Sequence, residues 1–496
     1  MLMSIAKVAV ERQRWRIRVI CPRASILSLV AVLLFLPSCA TVCRNEVTPA
    51  AQDPVISLID PMQTTECIED RPVVQVAYSQ ESDDAGVKLE PIPSEVSTVS
   101  KHLIDFDAGS SSLSLDDLEQ MALAHNPGLS EAMAQVAAMR GKWLQSGLPP
   151  NPRLGYSGAQ LGSAGEAEQQ GIYIEQEMIR GGKLCLDQAV ASQEISHAEH
   201  MLEVRRRRVL TDVRIGYYQV QCAQKRLELV GELVKIGNQA TEVVERLFEK
   251  LEGSRRDLLQ ARIESKSALN VLQRSHNQHT SAWRMLAAVL GSPQMPPRRL
   301  TGELDEVERE LVWEHSLERL LTESPEISAA LVEIERARIA FNRASVESVS
   351  DVNLQGVFQH DNSTGGSNGA LLISIPIPIL NRNQGGIRRA ESELTASQRA
   401  AERLELDLQY RLAPVFERYH TGRNRVGNYR GGILADAQES LKLTRQGYEA
   451  GELSFLNLLT AQRTYFQANL DFIEALCDMW AASAEIEGLL LMDSLK

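Results

Sequence analysis

The chain has 496 residues, 52 Lys and Arg against 65 Asp and Glu, a formal charge of −13, and 44% apolar residues. No apolar run reaches the ~18–20 residues of a transmembrane helix, which excludes a multi-helix inner-membrane protein. The acidic balance also disfavours a general nucleic-acid binder, because phosphates are bound through basic faces. We therefore expect no nucleic-acid partner.

The N-terminus has the order of a secretory signal peptide. Basic residues are spread over positions 1–25 and an apolar run follows at 26–36, too short to span a bilayer. The sequence predicts a signal peptide over 1–38 and lipidation at Cys39, with plain cleavage nearby as the alternative because Pro37 departs from the usual pattern. The segment resembling the bacterial lipobox is Leu36-Pro37-Ser38-Cys39.

The seven cysteines are scattered, and no two are spaced as a CxxC pair. With Cys21 removed in the signal peptide and Cys39 lipidated, an odd set remains. Such a set does not indicate a disulfide framework, and a zinc ribbon has no support.

Residues 39–112 are rich in Pro, Ser, Thr, Asp and Glu without sustained periodicity, which predicts a flexible linker. The remaining chain repeats itself. The segment beginning Asn126-Pro127 reappears as Ser324-Pro325, and Leu258-Leu259 reappears as Leu458-Leu459. Both spacings are about 200 residues, too long for a solenoid repeat. We predict two tandem copies of one large unit, over 113–300 and 301–496.

Each copy contains a short helix followed by two strand-like segments. Their residues alternate, with Ile172 and Ile174 on one face and Tyr173 and Glu175 on the other, as in a membrane barrel strand. An ordinary half-buried hairpin is the alternative. The predicted helices are 128–146 and 326–348; the strands are 153–160, 171–178, 351–360 and 370–377, with a Gly-rich loop at 361–369.

Each hairpin is followed by a long stretch poor in Gly and Pro, then by a returning helix. The long helices are predicted over 184–250 and 386–449, each roughly 100 Å in length. The returning helices are predicted over 255–290 and 453–492. The second has a heptad seam typical of coiled coils: Leu456, Leu459, Arg463, Phe466, Leu470, Ile473, Cys477 and Trp480. The fold class is mainly α with a small membrane β part.

Four strands cannot close a membrane barrel, because the smallest such barrels have about eight. An open sheet in lipid would leave backbone groups unpaired at its edges. If the strands lie in a membrane, several chains must pool them. Three chains would give a trimeric, 12-stranded barrel continued by an α-helical tunnel.

The chain resembles the TolC family of outer-membrane efflux proteins over most of 113–492. The matching motifs are Asn126-Pro127, the segment 147–152 before the first strand, 181–183 after the second, and the turn at 448–463. The segment 375–386 is similar to that of CzcC-like members of heavy-metal efflux systems.

The resemblance implies a homotrimeric channel in the bacterial outer membrane with its helical tunnel in the periplasm, and the lipid predicted at Cys39 would anchor it there as well. Its partners would be a periplasmic adaptor and an inner-membrane pump of the RND type or another exporter. The channel would conduct passively, since no phosphate-binding loop is present. Its substrates would be divalent heavy-metal cations such as cobalt, zinc and cadmium. Alternatives are a drug or protein export channel and a coiled-coil lipoprotein that bridges envelope layers without a pore.

The points farthest from the strands are the helix turns near Gly253 and Gly451, where the resemblance places the gate and the adaptor contact. Relatives carry acidic residues where this chain has Asn457 and Thr460, so a carboxylate ring is absent from copy two. Asp257 could form such a ring in copy one, or cap a helix. The residues of this region are Asp257, Leu258, Leu259, Ala261, Gly451, Asn457, Leu458, Leu459, Thr460 and Ala461.

Two His-x-x-His pairs, His197/His200 and His276/His279, have the spacing of metal ligands. Neither has a third ligand nearby, and exposed polar helix faces are the simpler interpretation. No nucleophilic triad or metalloprotease motif occurs. We therefore predict no enzyme activity, no cofactor and no metal site.

Overall fold

The structure is a computed structural model that describes residues 112–161, 167–250, 253–302, 304 and 310–495. The chain divides into two units, 1–84 and 85–496, and every described residue belongs to the second. The predicted signal peptide, Cys39 and nearly all of the predicted linker lie outside the described residues.

The described elements confirm the predicted fold class, a mainly helical duplicated unit with a small sheet. Copy one contains α1 (Leu115–His125), α2 (Pro127–Ser146), β1 (Arg153–Leu161), β2 (Ala167–Met178), α3 (Lys183–Glu249) and α4 (Arg255–Val289). Copy two contains α5 (Trp313–Glu323), α6 (Pro325–Val346), β3 (Val352–Asp361), β4 (Gly366–Ser374), α7 (Gln384–Asn428), a π-helical segment (Tyr429–Ile433), α8 (Leu434–Glu449) and α9 (Phe455–Glu487).

Equivalent residues begin equivalent helices in the two copies. Ser254 and Ser454 cap α4 and α9, each accepting a backbone N–H hydrogen bond, at 3.2 Å from Arg256 and 3.4 Å from Asn457. Gly182 and Asn383 precede α3 and α7, both in the left-handed conformation, with φ of 70° and 60°. The residues that begin these helices are thus of the same kind in both copies, and the helices follow in the same order.

The four strands form one antiparallel sheet in the order β1-β2-β3-β4. The predicted loop at 361–369 is too long, since only 362–365 lie between β3 and β4. Asp361 closes this turn by accepting backbone N–H bonds from Ser363 at 2.9 Å and Thr364 at 3.3 Å. Strand β4 ends at Ser374, before Pro376, which has no N–H to donate to a ladder.

The helices continue the order of the sheet. Next to the sheet they pack in the row α2–α3–α6–α7, and farther away in the row α4–α3–α9–α7, with α8 against α9. Helices α2 and α4 therefore lie on the same side as β1, and α7 and α8 on the same side as β4. We call the end where α3 turns into α4 and α8 into α9 the distal end.

One disulfide forms, although the scattered cysteines did not indicate a disulfide framework. Cys222 on α3 and Cys477 on α9 are bonded, with their Cα atoms 6.1 Å apart and 255 residues apart in sequence. The bond joins the long helix of copy one to the returning helix of copy two. One turn nearer the sheet, Tyr218 stacks on Trp480 with ring centroids 4.8 Å apart.

Two further expectations are corrected. His279 is 2% exposed, in the seam of α4 with Leu272 and Trp283, so the pair it forms with His276 is not an exposed polar face. In the heptad seam of α9, Leu456 and Arg463 are exposed, because the helix buries a different stripe near its start.

No helix among the described residues is long and apolar enough to cross a membrane.

Candidate functional site

One face of the sheet is apolar and exposed. The strand register brings Leu154 beside Ile174 and Ile172 beside Phe358. Leu154 is 75% exposed and Ile172 is 59% exposed, although both have the side chains of core residues. Contiguous exposed apolar surface of this kind marks a protein or membrane contact. The predicted alternation of β2 and β3 is confirmed by this register.

The opposite face of the sheet is polar. Glu175 lies beside Gln355 in the register and accepts a hydrogen bond from Asn353 Nδ2. Gln359 donates to Gln169 across the same two strands, at 3.3 Å. At the junction with the helices, Lys183 Nζ pairs with Asp351 at 2.7 Å, tying copy one to copy two. An apolar outer face and a polar inner face are the pattern of a transmembrane strand around an aqueous lumen.

The two distal turns use different backbone devices. Gly451 has φ of +77°, the left-handed region that glycine adopts without strain. Gly253 instead allows close approach, because a Cβ there would lie 3.0 Å from the backbone N of Phe248. Replacing either glycine would disturb its turn, for different reasons.

The distal turns of both copies pack together. We call the buried apolar residues there the distal cluster: Val244, Leu258, Ala261, Phe455, Leu458 and Leu459. Ala461 is also buried, one turn along α9. The structure thus unites Leu258 and Ala261 of copy one with Leu458 and Leu459 of copy two. Leu259 lies outside the cluster and is 50% exposed.

The polar residues singled out in the sequence lie at the margin of the distal cluster. Asp257 is in the first turn of α4 and lies 3.7 Å from Arg256. Burial raises the pKa of Tyr448 at the end of α8, and the charge of Asp257 adds a smaller effect in the same direction. Asn457 donates its backbone N–H to the Ser454 cap, and the Thr460 hydroxyl donates to Leu456 O at 2.9 Å.

An ion pair that the sequence did not indicate joins the copies near this cluster. Arg463 Nε of α9 donates to Glu264 Oε1 of α4 at 3.1 Å, and Nη2 contacts the second carboxylate oxygen. Phe455 and Val244 were also not singled out, although Phe455 directly follows the cap residue of α9. Among the described residues, no group of three or more His, Cys, Asp or Glu is placed to hold a metal ion.

Comparison with known sequences gives the family. The sequence profile of the outer membrane efflux protein family matches residues 118–292 and 316–490, once in each copy. The chain belongs to this family. The resemblance to TolC-family proteins read from the motifs is therefore confirmed, and the family is one of efflux proteins rather than enzymes.

Relatives agree with this assignment. The chain is 23% identical over 380 residues to the cobalt-zinc-cadmium resistance protein CzcC of Cupriavidus metallidurans, covering 76% of this chain and 90% of CzcC. A membrane protein from Pseudomonas aeruginosa superposes with a TM-score of 0.66 at 20% identity, covering 76% of this chain and 92% of that one. CusC superposes with a TM-score of 0.64 at 18% identity, covering 82% and 98%. These structures show the fold.

Proposed function

We propose that this outer membrane efflux protein is the passive outer-membrane channel of a tripartite efflux system. Three copies would pool their strands into a twelve-stranded barrel and continue as a helical tunnel in the periplasm. An adaptor and an inner-membrane pump, of the RND type or another exporter, would deliver the substrate and the energy.

One observation carries the proposal: the sheet exposes its apolar face, and one edge each of β1 and β4 has no partner strand among the described residues. In lipid each unpaired backbone group costs several kcal/mol, so the edges require other strands. A second copy supplies them in order, since β4 of one chain can pair with β1 of the next. The helix rows end on the same two sides, which lets α7 of one chain meet α2 and α4 of the next.

The distal end is the proposed gate and adaptor contact. It lies at the far end of the 67-residue α3, which is about 100 Å long. Packing of Leu258, Leu458 and Leu459 would keep the tunnel narrow at rest. Three copies of Asp257 would add a ring of carboxylates, although its position in the first turn of α4 equally suits a helix-stabilising role.

Divalent heavy-metal cations, such as cobalt, zinc and cadmium, are the proposed substrates. Support comes from the CzcC relative and from the segment 375–386. A conduit needs no tight metal site, because tight binding would slow passage. Drug or protein export by the same architecture is the second candidate, and a pore-free bridging lipoprotein is the third.

Two measurements test the proposal. Purified protein in planar bilayers should give discrete conductance steps, and detergent-extracted protein should have the mass of a trimer by light scattering. A monomer without conductance would favour the bridging lipoprotein. In cells, deletion of the gene should sensitise growth to cobalt, zinc or cadmium. If the deletion strain were sensitive to drugs alone, the substrate would be a drug and not a metal cation. If the strain instead failed to secrete a protein, the channel would serve protein export.

A further inference from the structure

The segments that lead from the sheet into the long helices differ between the two copies. In copy one, four residues join Met178 of β2 to Lys183 of α3. In copy two, nine residues join Ser374 of β4 to Gln384 of α7. The first six of these nine are all apolar, and we call them, residues 375–380, the apolar connector. The junction at the β4 side of the sheet is therefore longer and more apolar than the junction inside the chain.

The side chains of the apolar connector are exposed. Ile377 is 78% exposed, Ile379 is 69% exposed and Leu380 is 89% exposed. Neighbouring aliphatic side chains that are exposed to this extent mark a surface that another molecule covers. Pro376 and Pro378 restrict the backbone between them, which lowers the entropy that the segment would lose on binding.

The connector has a fixed backbone path in spite of this exposure. At its start the hydroxyl of Ser350, just before β3, donates a hydrogen bond to Pro376 O. At its end the side-chain amide of Gln384 donates to Leu380 O at 3.1 Å. Both ends are thus held in place, so the aliphatic side chains between them form an ordered surface before any partner binds.

A second apolar patch lies on the opposite side of the chain. It comprises the end of α2 and the residues that lead into β1, and we call it the proline patch: Leu144, Leu148, Pro149 and Pro150. Leu144 is 59% exposed and Leu148 is 50% exposed. Strand β1 and helix α2 end their rows on one side, as β4 and α7 do on the other. Two different apolar surfaces on opposite sides are what a head-to-tail contact between copies requires.

The junction between the two copies inside one chain shows how such segments meet. There the end of β2 pairs with the start of β3 in antiparallel register. The segment after β2 consequently lies against the segment before β3. A Cβ at Gly181 would be 3.1 Å from the Cβ of Val349, and Arg180 N donates to Asp351 Oδ1 at 2.7 Å.

The same geometry between two chains would bring the apolar connector onto the proline patch. If β4 pairs with β1 of the next chain, the segment that follows β4 lies against the segment that precedes β1. Counted from the ends of α2 and α6, Pro149 is equivalent to Val349, the residue that meets the segment after β2 inside the chain. The proline patch is therefore at the position where the connector needs a partner.

The two kinds of junction differ in chemistry. Inside the chain Lys183 Nζ pairs with Asp351 at 2.7 Å. The equivalent residues at the junction between chains are Gln384 and Asn151, which carry no charge. An ion pair cannot form between chains at this position, so an apolar contact is the attraction that remains.

We propose that the apolar connector of one chain docks on the proline patch of the next chain and fastens the ring of chains at the base of the barrel. The inference rests on the proposed function, because the occupant is a second copy of this chain. A lipid surface is the competing occupant of the connector. It would leave the proline patch, on the opposite side of the chain, without a counterpart.

Cysteine cross-linking of the full chain in outer membranes tests the contact. Ile377→Cys with Leu148→Cys should give dimers and trimers on non-reducing gels. Ile377→Cys with Met133→Cys is the matched control, because Met133 is 55% exposed on the same helix about 20 Å farther from the sheet, and it should give far less product. Both pairs are made in a background of Cys43→Ser, Cys67→Ser and Cys185→Ser.

A charge swap gives an independent test. Ile377→Lys and Leu148→Glu should each lower the fraction of trimer that survives heating in detergent about tenfold, and the two together should recover most of it, because the new charges face each other. Leu331→Lys is the control and should leave the trimer fraction unchanged. Leu331 is 58% exposed on α6, which lies inside the row of helices and belongs to neither patch.

The outcomes separate the docking from the channel. A protein that is trimeric by light scattering but does not cross-link through Ile377→Cys and Leu148→Cys would overturn the docking and leave the channel in place. Equal loss of trimer in Leu331→Lys, or no recovery in the double variant, would also overturn it.

If a fluorophore attached to Ile377→Cys is quenched by brominated lipid and no cross-link forms, the connector binds the lipid surface instead. Cross-linked trimers that give no conductance would overturn the proposed function while the docking stands. A chain that is monomeric by light scattering would overturn both.

Discussion

Leu259 and Leu459 occupy equivalent positions in the two copies but have opposite environments. Leu459 is 3% exposed inside the distal cluster, whereas Leu259 is 50% exposed on α4. The difference begins at the first residue of each helix. Phe455 starts α9 and fills the cluster, while its counterpart Arg255 starts α4 and is exposed.

Leu459→Asp should open the distal end. A carboxylate among the apolar side chains of the cluster loses its hydration, and the nearby Arg463 is already paired with Glu264, so the substitution should cost several kcal/mol. The cluster should loosen, giving larger single-channel conductance in bilayers and a leakier outer membrane in cells, with trimers intact.

Leu259→Asp is the matched control, because a half-exposed substitution shifts stability by only about 0.5 kcal/mol. Equal opening by the two variants would mean that Leu259 is buried against a neighbouring chain. If neither variant opens the channel, but charges at Gly365–Gly366 do, the proposed orientation of the tube is reversed.

The sequence predicted the large elements well because their signals are local. The alternation in β2 and β3 and the repeated helix caps are each visible within a few neighbouring residues. The exposure of Leu259 was not predictable in this way, because it depends on which copy contributes the aromatic residue to a shared cluster.

The disulfide and His279 show the same limit. Cys222 and Cys477 are 255 residues apart, and only the packing of α3 on α9 brings them together. From the sequence, His279 was interpreted as half of an exposed pair, but it lies on the buried face of α4. The π-helical segment had a local signal, Gly431-Gly432, inside a stretch that was predicted as one continuous helix.

Lipidation is expected at Cys39. Replacing Cys39 by Ala should abolish incorporation of a clickable fatty acid, since no other cysteine follows a lipobox-like sequence. Trimers should still form, because the strands anchor the protein independently. Cys43→Ala is the control and should label normally. Unchanged labelling of Cys39→Ala would show that the chain is cleaved without lipidation.

Stability should fall in acid partly through His279. Burial, with a smaller effect from the charge of His276, lowers the pKa of His279 to about 4. The unfolded chain, with an ordinary His pKa near 6.5, binds more protons between these values, so the stability is present above about pH 6.5 and is lost as pH falls towards 4. The full loss is about 3 kcal/mol.

His279→Gln removes this titration. The temperature at which the trimer of this variant dissociates on heating should fall less between pH 7 and pH 4.5 than the corresponding temperature of the wild type. His276→Gln serves as the control and should retain most of the wild-type pH dependence. Identical pH dependence in His279→Gln and the wild type would show that His279 titrates normally in the folded protein.

The duplicated unit predicts where neighbouring chains should meet. Within one chain Cys222 of α3 reaches Cys477 of α9. Equivalent positions in the two copies are found by counting from the residue that precedes each helix. By this count Arg423 of α7 is equivalent to Cys222 of α3, and Asn277 of α4 is equivalent to Cys477 of α9. Helices α7 and α4 end the row α4–α3–α9–α7, so these two positions can meet only between chains if the ring closes as proposed.

Asn277→Cys with Arg423→Cys, in a background of Cys43→Ser, Cys67→Ser and Cys185→Ser, should cross-link neighbouring chains. Non-reducing gels should show dimers and trimers that a reductant converts to monomers. Asn277→Cys with Tyr410→Cys is the control, because Tyr410 is exposed on the same helix about 20 Å nearer the sheet. Cross-linking by the control pair alone would mean that the chains meet in another register, and absence of both products would count against a closed ring of copies.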